Sequence, residues 1–462
     1  MPSLGDLALS PRDVVQAGLC IGCGACIGAR ASPGARMEFD HYGQLKPAGP
    51  GEVLMRRSDV VGRICPFSPA AANEDELAAV RFPVAPEQDK RLGRFETAYV
   101  GAVREDDYRQ NGSSGGMVTW VAAELLRLGL VDGVAHVTPS SDERYFRYAI
   151  SRTPEALHAG AKSRYYPVEM SEVLEQIRTV PGRYAIVGVP CFIKAVHLLR
   201  AENPVFKERI AHTLGLFCGH MKSSRLVESF AWQMDAAIGT VARPEFRLKG
   251  PERPANWYTA QLTLKDGDVR QKDWWHLADG DWGAGFFQNS ACNWCDDVLA
   301  ETADISFGDA WVEPHSSDWR GTNVVVVRSR RLREIVDAAI ADGRLDLQPV
   351  DADYVADTQA AGLRQRREGL AYRLGWWRRG LRPRKRVTAS TGLPVRRKLI
   401  YRLRYAISAW SHRMFWLARR LHAPSLYLAW AGTALRVYHG LAYGRGRVGA
   451  VARRLRLTDR SG

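Results

Sequence analysis

The chain has no uncharged apolar run of membrane-spanning length. Its longest apolar-leaning stretch, Leu426–Tyr443, is interrupted by Arg436 and His439, whereas a spanning helix needs about 20 largely uncharged residues. The N-terminus, from Met1 to Arg12, lacks a charged start followed by an apolar run, so no secretion signal is expected. A reducing, cytoplasmic setting follows, where clustered cysteine means metal ligation or redox chemistry before disulfides. No repeat at solenoid periods is present, which excludes a stacked-repeat architecture. Acidic residues nearly vanish after position 360: from Ala361 onward, 25 Lys and Arg face only Glu368 and Asp459. Residues 1–360 hold 40 basic and 48 acidic residues, so the overall net charge of +15 hides an acidic body and a strongly basic tail. With 46% apolar and 25% charged residues the chain is globular rather than disordered.

No cysteine is left over. The eight fall into two sets of four. Cys20, Cys23 and Cys26 lie in C-I-G-C-G-A-C, and Cys65 leads a Cys-Pro pair. This comes close to the bacterial ferredoxin run C-x2-C-x2-C-x3-C-P, with three thiolates on one loop and a remote fourth. Structural zinc is the competing reading, although zinc knuckles usually pair two C-x2-C turns. The second set is Cys191 in G-V-P-C, Cys218 in L-F-C-G, and Cys292 with Cys295 in C-N-W-C. As a bare pattern it is weaker, since C-x2-C also suits half a zinc site or a redox pair, and lone Cys191 and Cys218 suit a core.

Local pattern predicts a mixed α/β fold. Strands are expected at Thr97–Val103, Leu130–Val137, Tyr184–Val189, Ile210–Phe217, Ala303–Phe307 and Asn323–Val327, with a hairpin of Tyr258–Leu264 and Val269–Trp275 around K-D-G-D. Helices are expected at Trp120–Leu128, Leu174–Val180 and Phe192–Leu199. Cys191 and Cys218 each follow the carboxyl end of a strand, where ligands of open α/β sheets tend to sit. Between the first strand and the first helix lies a Gly/Ser loop. Asn111, Gly112, Ser113, Ser114, Gly115, Gly116 and Thr119 offer close backbone approach and hydroxyls, and the following helix N-terminus favours phosphate. A plain turn is the alternative. Lys162, Ser163 and Arg164 suit an anion or a solvated loop, as do Arg247 and Lys249. Asp304 and Asp309 suit a ribose contact or a turn cap, and His136, His197, His212 and His220 show no spacing that marks an acid–base pair.

Seven ordered segments then carry a resemblance: N-G-S-S-G-G-M-V-T-W (111–120), G-L-V-D-G-V (129–134), K-S-R-Y-Y-P-V (162–168), V-G-V-P-C (187–191), G-L-F-C-G (215–219), F-R-L-K-G (246–250) and C-N-W-C-D with A-D-I-S-F-G-D-A-W (292–311). From Thr97 to about Asn323 the chain resembles the coenzyme F420 hydrogenase/dehydrogenase β-subunit family, preceded by a ferredoxin-like segment. The resemblance implies FAD beside a [4Fe–4S] cluster held by Cys191, Cys218, Cys292 and Cys295, and a second [4Fe–4S] cluster at Cys20, Cys23, Cys26 and Cys65. It places FAD at Asn111–Thr119 and Lys162–Arg164. The family often has Gly-Thr-Pro-Cys-Gln where this chain has Val189 and Phe192, so polar contacts near the flavin differ here.

The expected organisation is a ferredoxin-like segment (1–84), two β-subunit-like parts (95–180 and 181–360) and an Arg-rich amphipathic helical tail (361–462). In the tail, Leu399, Leu403, Ile407, Trp410, Met414, Leu417 and Leu421 recur at helical steps. Interleaved Arg and Trp over residues 396–443 suit the inner face of a membrane, with a protein partner as the alternative and nucleic acid not expected. The implied function is an iron–sulfur flavoprotein oxidoreductase exchanging electrons with ferredoxin, coenzyme F420 or another enzyme subunit. The alternatives are a non-catalytic electron-transfer or assembly subunit and a zinc-stabilised binding module.

Overall fold

Val-rich segments set the centre of the architecture. In the computed structural model, which describes residues 7–30, 33–140, 142, 144–378 and 380–455, fifteen strands form four sheets. The first six residues of the stretch read for a leader, and Asp459 of the tail, lie outside the described residues. Two short hairpins come first: β1 (Arg36–Phe39) with β2 (Leu45–Ala48), and β3 (Glu87–Asp89) with β4 (Gly93–Phe95). The main sheet contains β5 (Thr97–Val103), β6 (Gly133–Pro139), β7 (Phe146–Ser151), β8 (Tyr184–Gly188) and β9 (Ile210–Leu216). A three-stranded antiparallel sheet follows, of β10 (Val241–Leu248), β11 (Thr259–Leu264) and β12 (Val269–Asp273). The chain then returns to the main sheet with β13 (Ile305–Asp309), β14 (Asn323–Val327) and β15 (Leu345–Val350).

The eight strands run in the order β15-β5-β14-β13-β9-β8-β6-β7. β13, β9, β8 and β6 are mutually parallel, and the remaining pairings are antiparallel. Both β8 and β14 are buried along their whole length, as strands covered on both faces should be. One face packs against Met117, Trp120 and Val121 of the helix Met117–Arg127 and Leu332 and Val336 of the helix Arg330–Ala341. The other meets the helix Pro190–Glu202 through Phe192, Ala195 and Leu199. On that helix sit Ile64 and Phe67 of the N-terminal segment. The first cysteine set is thereby stacked against the helix that begins at the second.

The basic region is part of this body. Its helix Val395–Arg420 and the following helix Pro424–Tyr443 form a hairpin, the first packing on the helix Arg225–Gln233 and the turn Ser290–Trp294. Ile400, Ile407, Phe415, Ala418 and Tyr427 share a core with Phe230, Trp274, Phe286 and Phe287. Of the stripe expected from spacing, Ile407 is buried, while Trp410, Leu417 and Leu421 are 51%, 37% and 59% exposed. The buried face is rotated because polar side chains anchor it. Ser411 Oγ accepts the Phe287 amide at 2.9 Å, Ser408 Oγ donates to Gln288 O at 3.1 Å, and His412 meets Gln44 at 3.2 Å. Asp279 pins the second helix, accepting from Tyr427 at 2.8 Å and Ser229 at 2.5 Å. Among the described residues, no helix is long and apolar enough to cross a membrane. Because Phe415 is fully buried, Phe415→Ala should cost about 3–5 kcal/mol in chemical denaturation of the whole chain. A helix merely lying on the surface would lose far less.

Candidate functional site

The first quartet forms where the chain turns tightly. Gly22 and Gly24 hold φ of 82° and 79°, and a Cβ at Gly24 would collide with Glu169. Only glycine fits such a left-handed, crowded position. Cys26 lies in the short helix Ala25–Gly28, and Cys65 caps the helix Asp59–Ile64. Lys46 Nζ donates to Cys20 O at 2.7 Å and the Met170 amide to Cys23 O at 2.9 Å, tying the loop to β2 and the body. All four cysteines line one cavity of about 30 Å³, together with Gly22, Gly24 and Val61. Burial raises the Cys65 thiol to about 12, against amide contacts from Phe67 and Ser68. Burial, then the fields of neighbouring thiolates, push Cys26 well above the ordinary range.

The second quartet assembles at strand ends. Cys191 occupies the first turn of the helix Pro190–Glu202, directly after β8. Cys218 lies two residues past β9, its amide donating to Val298 O at 2.9 Å. Cys292 lies within the turn Ser290–Trp294 and Cys295 caps its end, and Cys292 Sγ accepts the Met221 amide at 3.3 Å. Burial and then Cys295, Cys218 and Cys292 drive the Cys191 thiol well above its usual value, and Cys23 of the first quartet contributes as well. Tyr148 feels both Cys191 and Cys23. Cys23 of the first quartet shares one core with Tyr148, Cys191, Cys292 and Cys295. Among the described residues, no group of three or more His, Cys, Asp or Glu is placed to hold a metal ion.

Arg366 is the residue that spacing alone does not reveal. It is 4% exposed and donates to the carbonyls of Cys292 and Gly219. Burial should depress its pKa, yet the fields of Cys295, Cys292, Cys218 and Cys191 outweigh this and raise it. Beside Cys65 and Cys295 lie buried ion pairs, Lys194 to Glu74 at 3.2 Å and Lys385 to Asp296 at 3.1 Å. Arg386 reaches Asp296 at 3.5 Å, Glu301 at 2.6 Å and Asp75 at 2.8 Å. Burial, with Glu301 and Glu74 nearby, holds Asp297 up at about 7. Basic residues beyond 360, distant in sequence from the cysteine motifs, thus close over the second quartet.

The Gly/Ser loop is touched by Lys249. Gly115 and Gly116 leave no room for a Cβ beside Gly101, Asn323 and Tyr108, so close packing is one reason for glycine here. Ser114 Oγ donates to Thr322 O at 2.9 Å, and the Ser163 amide donates to Ser113 Oγ at 2.8 Å, bringing the 162–164 segment onto the loop. Asn111 is exposed, Gly112 buried and Thr119 half-buried. Lys162 meets Glu245 at 3.6 Å, while the Arg164 guanidinium lies 4.8 Å over Phe146. Lys249 Nζ has Ser114 O at 2.8 Å and the Arg109 carbonyl as acceptors. Burial, then Arg247 and Arg109, lowers Lys249 to about 7. Nearby, Tyr165 packs 4.7 Å from Trp282, and Arg247 lies 4.4 Å over Tyr258.

The acids read from sequence are committed elsewhere. Asp304 pairs with Arg81 at 2.6 Å and accepts the Thr213 amide at 2.7 Å, so it joins the N-terminal segment to the sheet rather than facing a ribose. Asp309 binds Arg247 through both nitrogens at 3.0 and 3.1 Å. His136 meets Ser151 at 2.7 Å, His197 meets Thr213 at 3.4 Å, and His220 stacks 4.4 Å from Trp282. Burial lowers the pKa of His212. A separate cleft of about 600 Å³ is lined by Phe39, Arg144, Phe146, Tyr148 and Glu169, so Tyr148 connects it with both quartets.

Comparison with known proteins places this geometry in a lineage. Residues 98–175 match the family described as the N-terminal part of the coenzyme F420 hydrogenase/dehydrogenase beta subunit, and residues 182–353 match the family described as its C-terminal part. An uncharacterized protein of Nostoc sp. is 25% identical over 237 residues, covering 51% of this chain and 54% of that protein. The coenzyme F420 hydrogenase subunit beta of Methanosarcina barkeri is 22% identical over 274 residues, covering 57% of this chain and 85% of that protein. A chain in a solved structure of the F420-reducing [NiFe] hydrogenase complex from Methanosarcina barkeri superposes with a TM-score of 0.50 at 18% identity. It covers 65% of this chain and 99% of that one, a likeness of fold. With both halves of the family matched in order across the sheet that carries the second quartet, the chain belongs to the coenzyme F420 hydrogenase/dehydrogenase beta-subunit family.

Proposed function

We propose that this protein is an iron–sulfur flavoprotein oxidoreductase, with FAD at the Gly/Ser loop and a [4Fe–4S] cluster in each cysteine quartet. The observation that supports the reading is the grouping of the eight cysteines, four buried and four half-buried: the first four line one small cavity, and Cys191, Cys292 and Cys295 share a core with Cys23. Several buried thiolates cannot coexist in a low-dielectric interior without a compensating cation, and an iron–sulfur core supplies that charge. A bound flavin would supply the exchange between two-electron hydride and single-electron traffic. The chain's own residues have separate tasks. Lys249 and Arg109, close together and desolvated, are suited to a pyrophosphate. The aromatic group around Tyr165 and Trp282 would exclude water from the flavin ring. Arg366 would hold the Cys292 turn and offset thiolate charge at the second cluster, and Tyr148, packed in one core with Cys23 and Cys191, would shield the space they share.

In this reading residues 1–84 are the ferredoxin-like unit, 95–180 and 181–360 the flavin-binding core, and 361–462 a basic cover. A ferredoxin, coenzyme F420 or another enzyme subunit would be the redox partner, and the basic hairpin over residues 396–443 would dock the protein on a membrane or an acidic partner. A second reading, a non-catalytic electron-transfer subunit, draws on the similarity to a protein that is itself named as a subunit.

Anaerobic purification with quantified iron, sulfide and flavin tests this directly. About eight irons and one FAD per chain are expected for two four-iron centres; zinc without sulfide would refute it. Cys292→Ser should lose about half the iron while keeping the first centre. Lys249→Ala should weaken FAD retention by roughly tenfold or more, a charge-assisted hydrogen bond being worth about 1.5–3 kcal/mol. Arg366→Gln should shift the second centre to more negative potential, by an amount on the order of tens of millivolts.

A further inference from the structure

The helical hairpin ends in a tip whose apolar residues the body leaves partly exposed. Trp416 is 38%, Leu421 59% and Leu426 37% exposed, and Leu417 stands beside them. Positions 410, 413, 417 and 421 fall three and four apart, so they form one stripe of the helix Val395–Arg420. Leu426 continues that patch across the turn into the helix Pro424–Tyr443. Burying such a tip would recover free energy that water exposure forfeits.

Charge says what would cover it. Arg413 lies 5.2 Å over the Trp410 ring and Arg420 5.6 Å over Trp416. Among the described residues neither guanidinium has a carboxylate partner, whereas Arg419 is tied to Glu228 at 3.5 Å. The two helices, from Val395 to Tyr443, contain no acidic residue at all. Guanidinium groups stacked on tryptophan keep cation and ring at the same depth, as an interface of phosphate headgroups and acyl chains requires. A double-stranded nucleic acid would use the cations but leave the leucines wet, and a protein groove would need no excess of unpaired arginine.

We propose that the hairpin tip, Trp410, Trp416, Leu417, Leu421 and Leu426 with Arg413 and Arg420, inserts shallowly into an anionic lipid surface. This rests on the reading above that the basic hairpin docks the protein, and it names both the contact and its chemistry. The tip lies near the first quartet's hairpin: Trp416 is 6.4 Å from His41, in the turn between β1 and β2. Docking in this way holds the N-terminal segment close to the membrane without any spanning helix.

The test is co-sedimentation of the full-length protein with vesicles of phosphatidylcholine alone or mixed with phosphatidylglycerol, over a range of salt. Binding is expected only to the anionic vesicles and should weaken as salt rises. The pair Trp416→Gln with Leu417→Gln should reduce partitioning by roughly tenfold or more, and Arg413→Gln with Arg420→Gln should flatten the salt dependence. These side chains are exposed, so circular dichroism and iron content should match the parent. Unchanged partitioning of the Gln pair overturns the tip assignment while sparing docking by the hairpin at large. Failure of the parent to bind anionic vesicles overturns membrane docking altogether. Tighter binding to a duplex oligonucleotide than to vesicles also overturns it, in favour of nucleic acid. None of these outcomes touches the redox reading, which iron and flavin contents decide.

Discussion

Thiols gathered in a dry interior are the constraint around which this molecule is built. Burial alone drives Cys26 and Cys191 far from their ordinary range, and each neighbouring thiolate drives them further. Such a group is tolerable as neutral thiols or as ligands to a strongly positive core, because a coordinated thiol gives up its proton outright. The protein adds cations of its own at this place. Arg366 faces the second quartet, and Lys194 lies near Cys65.

The surrounding polar seam is costly unless every charge is matched, since removing one partner of a buried pair strands the other. Here the matches come from three stretches of chain far apart in sequence. Glu74 belongs to the N-terminal segment, Lys194 to the helix after Cys191, and Lys385 and Arg386 to the basic region. The same contacts that neutralise Asp296 and Glu74 therefore fasten the N-terminal segment to the sheet. Arg81 to Asp304 adds a further tie between the same two parts. Electrostatic closure and architectural closure are one set of bonds, which gives the basic region a structural task alongside any docking role.

Much of the fold could be read from pattern. β5 and β14 coincide with their expected spans, β5 as an apolar stretch with alternation and β14 as a Val run buried on both faces. The edge strands β7 and β15 escape such a reading, since Arg147, Asp346 and Gln348 alternate with their apolar residues and face outward. The tail helix was legible as a helix but not in its orientation. Small polar residues, Ser408 and Ser411, fill the buried face that a search for leucines overlooks. At the candidate site, three cysteines on one turn announce themselves by spacing, whereas the cations do not. Arg366 is one arginine among many in its segment, and only the folded chain singles it out. The Gly/Ser loop shows the reverse case. Its glycines are explained in part by contact with Gly101 and Tyr108, so a motif that suggests phosphate also answers a packing need.

Two centres close enough to influence one another are what the redox reading requires. Electron paramagnetic resonance of the anaerobically reduced full-length protein measures that proximity. Two centres in adjacent quartets should give a spectrum broadened by spin–spin interaction, collapsing to one simple signal when Cys191 is replaced by serine. A spectrum that is merely the sum of two independent centres, or a protein that holds zinc and shows no signal, would contradict it.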